Sequence, residues 1–246
     1  IHPDQNGASI RSVLMQLNSS SAAVLSADLA DASPALAVTT DISGVETSTG
    51  SRQALAVNSD FGAAYTTGTA TFVISDADAT PTATARSLTG SALTAAGRRG
   101  LTIDQYGYGY AADANGHVDV FEVEDSANSH PVVLAQQNVT VAAIDSLAYD
   151  PENDLLWASV ANNVTPIAIV RDGDFAPTLL QDLDVGTSTQ AARTLGTSGN
   201  DDKIFFGKSG TLIQQDSNAL RLLDVSAALP NPAFITPNDA AGAGAY

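Results

Sequence analysis

The 246-residue sequence has no cysteine, which removes disulfides, zinc ribbons, iron–sulfur clusters and thiol chemistry at once. Lysine is nearly missing: Lys203 and Lys208 stand among 10 basic residues against 27 acidic ones, for a net charge of −17. Such a surface repels a polyanionic duplex or an anionic bilayer, so neither a nucleic-acid nor a lipid-headgroup partner is expected. No apolar run approaches the roughly 20 residues of a membrane helix, and no membrane insertion is expected. Aromatic residues amount to 6% and charged residues to 15% of the chain, the latter well below the usual ~25%. Helical periodicity is almost absent as well.

What fills the chain is Ala, Thr, Ser, Asp and Gly, with 44% apolar residues, enough for a core. Short alternating runs rich in β-branched residues, such as 69–74 and 117–123, have the period of strands and are bounded by turn residues. The runs recur. Leu55, Leu101, Leu147 and Leu195 are separated by 46, 46 and 48 residues. Each is followed at the third position by a polar turn former (Asn58, Asp104, Asp150, Ser198) and then by an aromatic (Tyr65, Tyr110, Trp157, Phe206). A tight turn comes next: Thr67-Gly68, Asn115-Gly116, Asn162-Asn163 or Ser209-Gly210. A third strand then ends at Asp76, Asp125, Asp172 or Asp216, and a fourth begins in PTATARSL, PVVLAQ, PTLLQDL or LRLLDV.

Four short antiparallel strands in a unit of about 45 residues define a β-propeller blade. The expectation is therefore an all-β, single-domain propeller over residues 1–246, with about five four-stranded blades. Blades fall near 53–90, 99–137, 145–184 and 193–227. The fifth, near 10–40, lacks its first strand, and 233–239 around Phe234 would supply it, so that a C-terminal strand completes the N-terminal blade. Closure of that kind leaves no free sheet edge to aggregate. In this pattern, and most closely in LTIDQYGYGYAADANGHVDVFEV, the chain resembles the broad NHL-like and YVTN-like group of propeller repeats in secreted bacterial proteins. The resemblance implies a fold and an extracellular habit; it implies no reaction.

The candidates for chemistry are few. The recurring Asp28, Asp76, Asp125, Asp172 and Asp216 sit among turn residues, where a side chain caps its own backbone. Asp113-Ala114-Asn115-Gly116 opens like a calcium loop but has Val118 where that loop needs glycine, and so reads as a hairpin turn. His2, His117 and His130 share no metal-ligand spacing, and no Gly-x-Ser-x-Gly elbow accompanies them. Tyr106, Tyr108 and Tyr110 alternate and read as blade packing or as a contact patch. Asn18, Asn138 and Asn163 fit the Asn-x-Ser/Thr acceptor pattern.

The remaining set is Asn58, Asp104 and Asp150, which point toward one mouth of the axial channel. Gluconolactonase-type propellers hold a divalent metal at such a mouth, which makes these three the candidate metal ligands, with Ca²⁺ the candidate ion and no other cofactor expected. Ser198 in the matching position of the last blade, and the absence of a paired Glu, count against catalysis. The reading favoured is a non-catalytic extracellular propeller, a protein-interaction or surface-assembly module with a protein partner. The alternative is a metal-assisted hydrolase or lactonase at the channel mouth. The chain begins Ile1-His2-Pro3 without Met and reads as a processed form, or as a piece of a larger propeller, at the cell surface or in the periplasm.

Overall fold

A computed structural model describes residues 2–3, 10–17, 22–28, 37–43, 54–58, 61–66, 70–75, 82–84, 86–91, 93, 100–123, 131–139, 143–160, 163–173, 176–181, 203–207, 211–215 and 220–224; the side chains described lie between residues 54 and 213. Every regular element among them is a strand. The first sheet contains β1 (His2–Pro3), β2 (Ile10–Leu17), β3 (Ala22–Asp28) and β4 (Ala37–Ser43) in spatial order. The second runs β5 (Ala54–Asn58), β6 (Gly62–Thr66) and β7 (Thr71–Ser75). Next in the chain, β8 (Thr82–Thr84) joins the first sheet in parallel against β4, and β9 (Arg86–Ser87) completes the second. The third sheet is β10 (Gly100–Ile103), β11 (Tyr108–Ala112), β12 (His117–Glu122) and β13 (Val133–Asn138). The fourth is β14 (Ile144–Asp150), β15 (Leu155–Val160), β16 (Asn163–Val170) and β17 (Thr178–Gln181). The last is β18 (Lys203–Phe206), β19 (Thr211–Gln215) and β20 (Leu220–Asp224).

Within the second, third and fourth sheets all pairing is antiparallel between neighbours in spatial order, as short hairpin turns dictate. Asn115-Gly116 shows the cause directly. Gly116 has φ +80° and its N–H reaches Asp113 O at 3.3 Å, closing the β11–β12 hairpin. Gly109 has a different reason to be glycine: a Cβ there would sit 2.3 Å from the Phe121 ring.

Among the described residues the first strands β5, β10, β14 and β18 pack side by side in that order, each the edge of its own sheet. The sheets thus stack face to face, and the inner strands are buried on both faces. On β11, Tyr110 and Ala112 join the core against the fourth sheet while Ala111 joins the core against the second. On β15, Leu156 and Ala158 face the third sheet and Trp157 faces the last. Period-two alternation therefore sends successive side chains to opposite neighbours, and β15 reads as almost continuously buried.

Three segments differ from expectation. Phe206 was expected on a second strand as a wedge; it lies instead on β18, packed against β14, because the apolar run Ile204–Phe206 is anchored there by Ile204 N–H donating to Ser146 Oγ at 3.2 Å. Thr82–Thr84 was expected in the second blade and pairs with the first sheet. At the edge of β2, where the C-terminal segment was expected, His2 and Pro3 pair with Arg11 and Ile10. Residues 225–246, Phe234 included, and Leu195 lie outside the described residues.

Candidate functional site

The position after each first strand is where the sequence placed candidate ligands, and all three are described. Asp104 and Asp150 are fully buried. A buried carboxylate is tolerated only when its lone pairs are filled, and here each is filled by the chain itself. Asp150 Oδ1 accepts from the Glu152 and Asn153 amides at 2.9 and 3.2 Å, and its Oδ2 from Asn153 Nδ2 at 2.9 Å and Trp157 Nε1 at 3.4 Å. Asp104 Oδ1 accepts from the Tyr106 and Tyr108 amides at 2.8 and 2.9 Å. Its Oδ2 accepts from the Tyr110 hydroxyl and from Arg171 Nη2, both at 2.6 Å. Asn58 Nδ2 donates to the Asp104 main-chain carbonyl at 2.8 Å and so ties the second sheet to the third.

The sequence reading missed Arg171, which follows β16 and makes Asp104 the centre of a larger constellation. Its guanidinium also donates to Asp154, Nε to Oδ2 and Nη2 to Oδ1, each at 2.9 Å. Asp154 carries φ +52°, a left-handed conformation costly for most residues and more accessible to aspartate, and it also accepts from the Tyr149 hydroxyl at 2.9 Å. The guanidinium lies 4.2 Å from the Tyr106 ring centroid and 5.8 Å from that of Tyr108, in cation–π range. Tyr106 is 53% exposed, whereas Tyr110 on the same tract is fully buried. The three alternating tyrosines thus divide into one core residue, Tyr110, one partly buried, Tyr108, and one exposed plate, Tyr106.

Electrostatics follow from the geometry. Burial, then the charge and hydrogen bond of Asp104, push the Tyr110 hydroxyl well above the usual tyrosine range. Burial and Asp154 do the same to Tyr149. For Arg171, burial opposes the charge, but the hydrogen bonds to Asp154 and Asp104 outweigh it and strengthen the guanidinium's hold on its proton. One cation between two carboxylates leaves the cluster net negative and fixed in place.

Asp113 is buried and accepts from the Asn115 and His117 amides at 2.8 and 3.0 Å, the hairpin-turn geometry expected of it. Asp172 is exposed beside Gly173, which has φ +61°. Asp28 ends β3, and Asp76, Asp125 and Asp216 lie outside the described residues. Among the described residues no three His, Cys, Asp or Glu side chains gather as a metal site.

A second set of ties joins the outer strands. The Gln137 amide donates to Pro177 O at 3.0 Å and accepts from Leu179 N–H at 2.7 Å, so a side chain stands in for a backbone ladder between β13 and β17. Between the second and third sheets the backbone does this itself: Thr89 N–H donates to Pro131 O and Val133 N–H to Thr89 O, both at 2.9 Å. Buried Asp119 accepts from Ser91 Oγ at 2.5 Å and Gln136 Nε2 at 2.8 Å.

No family model matches the sequence, and no curated protein matches it. Among solved structures, the β-propeller domain of Cps50 (Swd1) from Myceliophteria thermophila superposes with a TM-score of 0.51 over 87% of this chain, at 10% identity. The fold resembles a β-propeller. The chain spans 66% of that domain's length, and the likeness carries architecture alone. In this propeller-like frame, the Asn58–Asp104–Arg171–Asp154 belt crosses three consecutive blades: Asn58 ends β5, Asp104 and Asp154 lie in the turns after β10 and β14, and Arg171 follows β16. Among the described residues no helix is long and apolar enough to cross a membrane.

Proposed function

We propose that this chain is a non-catalytic protein-interaction module, and that its contact surface is centred on Tyr106 stacked over Arg171. The observation that carries the reading is the pairing of a half-exposed aromatic plate with a guanidinium held by three charge-assisted hydrogen bonds. Tyr and Arg are the residue types that dominate protein–protein hot spots, and a preordered pair loses little entropy on binding. The buried acids give further support, because Asp104 and Asp150 already accept two protein donors on each oxygen. A metal at either would have to displace those donors.

The finer architecture belongs to the same reading. The blades number about five, as the repeat spacing implies, and the ring closes at the N-terminal blade. The setting is extracellular or at the cell surface, in keeping with the acidic composition and the NHL-like and YVTN-like resemblance, and no resident cofactor is required.

The test is site-specific photocrosslinking. A photoreactive phenylalanine analogue at position 106 should trap a discrete protein partner on the cells that make this chain. The same analogue at position 134, on an exposed residue of β13, should not. Equal trapping at both positions, or none at 106, defeats the reading.

A further inference from the structure

A cavity of about 690 Å³ opens where the inner strands β5, β10, β14 and β18 converge. Its lining is almost wholly apolar, including Leu55, Leu101, Leu147, Phe205 and Phe206. In a chain with 27 acidic residues and a net charge of −17, not one Asp, Glu, Lys, Arg or His is among the described residues that line it. Leu55 and Phe205, on the first and last of the four strands, remain 41% and 49% exposed there, whereas Leu101, Leu147 and Ile204 in the same lining are buried. Among the described residues the polar lining is limited to Thr102, Ser146 and Tyr149, and two of these are partly engaged: Tyr149 donates to Asp154 and Ser146 accepts from Ile204 N–H.

The size lies within the roughly 300–1,000 Å³ of small-molecule sites. We infer that this axial cavity binds a neutral, predominantly apolar small molecule. An ion would enter without a counter-charge, and burying it there would cost several kcal/mol. A neutral apolar molecule instead covers Leu55 and Phe205 and gains their burial. Oxygen or nitrogen atoms on such a ligand have uncharged partners available in the outward edges of the four strands, which among the described residues pair within their sheets on one side only. The inference goes beyond the contact surface at Tyr106, which lies outside the lining, and either can fail without the other.

The test uses N-phenyl-1-naphthylamine, a neutral fluorescent probe, with anionic 8-anilinonaphthalene-1-sulfonate as its charged counterpart. The neutral probe should bind saturably at one site per chain. Leu55→Asp and Phe205→Asp should each weaken it at least tenfold, while Leu134→Asp on the outer strand leaves it unchanged. Phe205→Ser provides a milder variant should the aspartates disturb folding, which circular dichroism and melting would show. Absent or unsaturable binding, equal affinity in wild type and Phe205→Ser, or binding of the anionic probe as tight as the neutral one overturns the inference.

Discussion

Asp104 and Asp150 occupy the same place in consecutive blades, are equally buried, and bind differently. Asp150 is satisfied inside its own turn and by the Trp157 indole of its own sheet. Asp104 uses one oxygen for its own turn, and the other for Tyr110 and for a guanidinium from the next blade. The repeated acid is thus a local clasp by default and becomes an inter-blade tie where a neighbour delivers a cation. A shared feature also emerges: in both blades the second-strand aromatic donates to the acid that ends the first strand. Tyr110 does so at 2.6 Å and Trp157 at 3.4 Å, which explains why a polar-tipped aromatic follows the acid at that spacing.

The largest expected effect separates these two acids. Asp104→Ala leaves Arg171 short of a carboxylate and Tyr110 without an acceptor, and should cost about 3–5 kcal/mol in denaturant unfolding. Asp150→Ala strands only neutral donors, some at the solvent-facing turn, and should cost about 1–3 kcal/mol. Equal costs would erase the distinction. A double-mutant cycle sharpens it. Asp104→Asn with Arg171→Met should show a coupling of about 1–3 kcal/mol, and Asp150→Asn with Arg171→Met should be additive within about 0.5 kcal/mol.

Alkaline pH provides a third probe. Unfolded tyrosines ionise near pH 10, while Tyr110 and Tyr149 are held above that value in the folded chain. Their contribution is complete below pH 10 and drains away as the pH rises past it, because only the unfolded state then loses the proton. The loss should be at most about 1.4 kcal/mol per pH unit for buried Tyr110, and less for partly buried Tyr149, where solvent screens the interaction. Tyr110→Phe should flatten the alkaline limb of a melting-temperature profile more than Tyr149→Phe does. Gln137→Ala, which removes two neutral hydrogen bonds between blades, should cost about 1–2 kcal/mol. The smallest effect expected is from metal: Ca²⁺ or Zn²⁺ titrated up to millimolar should leave the melting temperature unmoved. A saturable rise abolished by Asp104→Ala with Asp150→Ala would instead revive the hydrolase reading.

Much of the fold was legible because it is local and repeated. The 46-residue spacing of Leu55, Leu101 and Leu147 placed three of them on β5, β10 and β14, and Tyr65, Tyr110 and Trp157 on the adjoining strands as fully buried wedges. Asn115-Gly116 announced its hairpin because only a few residue types accept that backbone. The last blade was less legible: Ile204–Phe206 is apolar on successive positions, so alternation could not say which strand of a sheet it forms.

The candidate site was half legible. Asp104 and Asp150 were found by periodicity, but carboxylates that face a channel and carboxylates that fill their own turns look the same in a sequence. Arg171 was overlooked beside the recurring Asp172, although a lone arginine at a strand end of so acidic a chain was a signal. Its partners lie 67 and 17 residues away and meet it only when blades stack.

Periodicity by itself determined that this chain makes short antiparallel sheets with acids at the inner turns, since strand alternation and turn chemistry act over a few residues. Only the tertiary structure decided which acid takes a cation, that Gln137 bridges two blades, and that a cavity whose described lining is uncharged opens between the inner strands. Those outcomes depend on surfaces brought together from distant parts of the chain, where burial makes each unpaired polar group costly and each paired one specific.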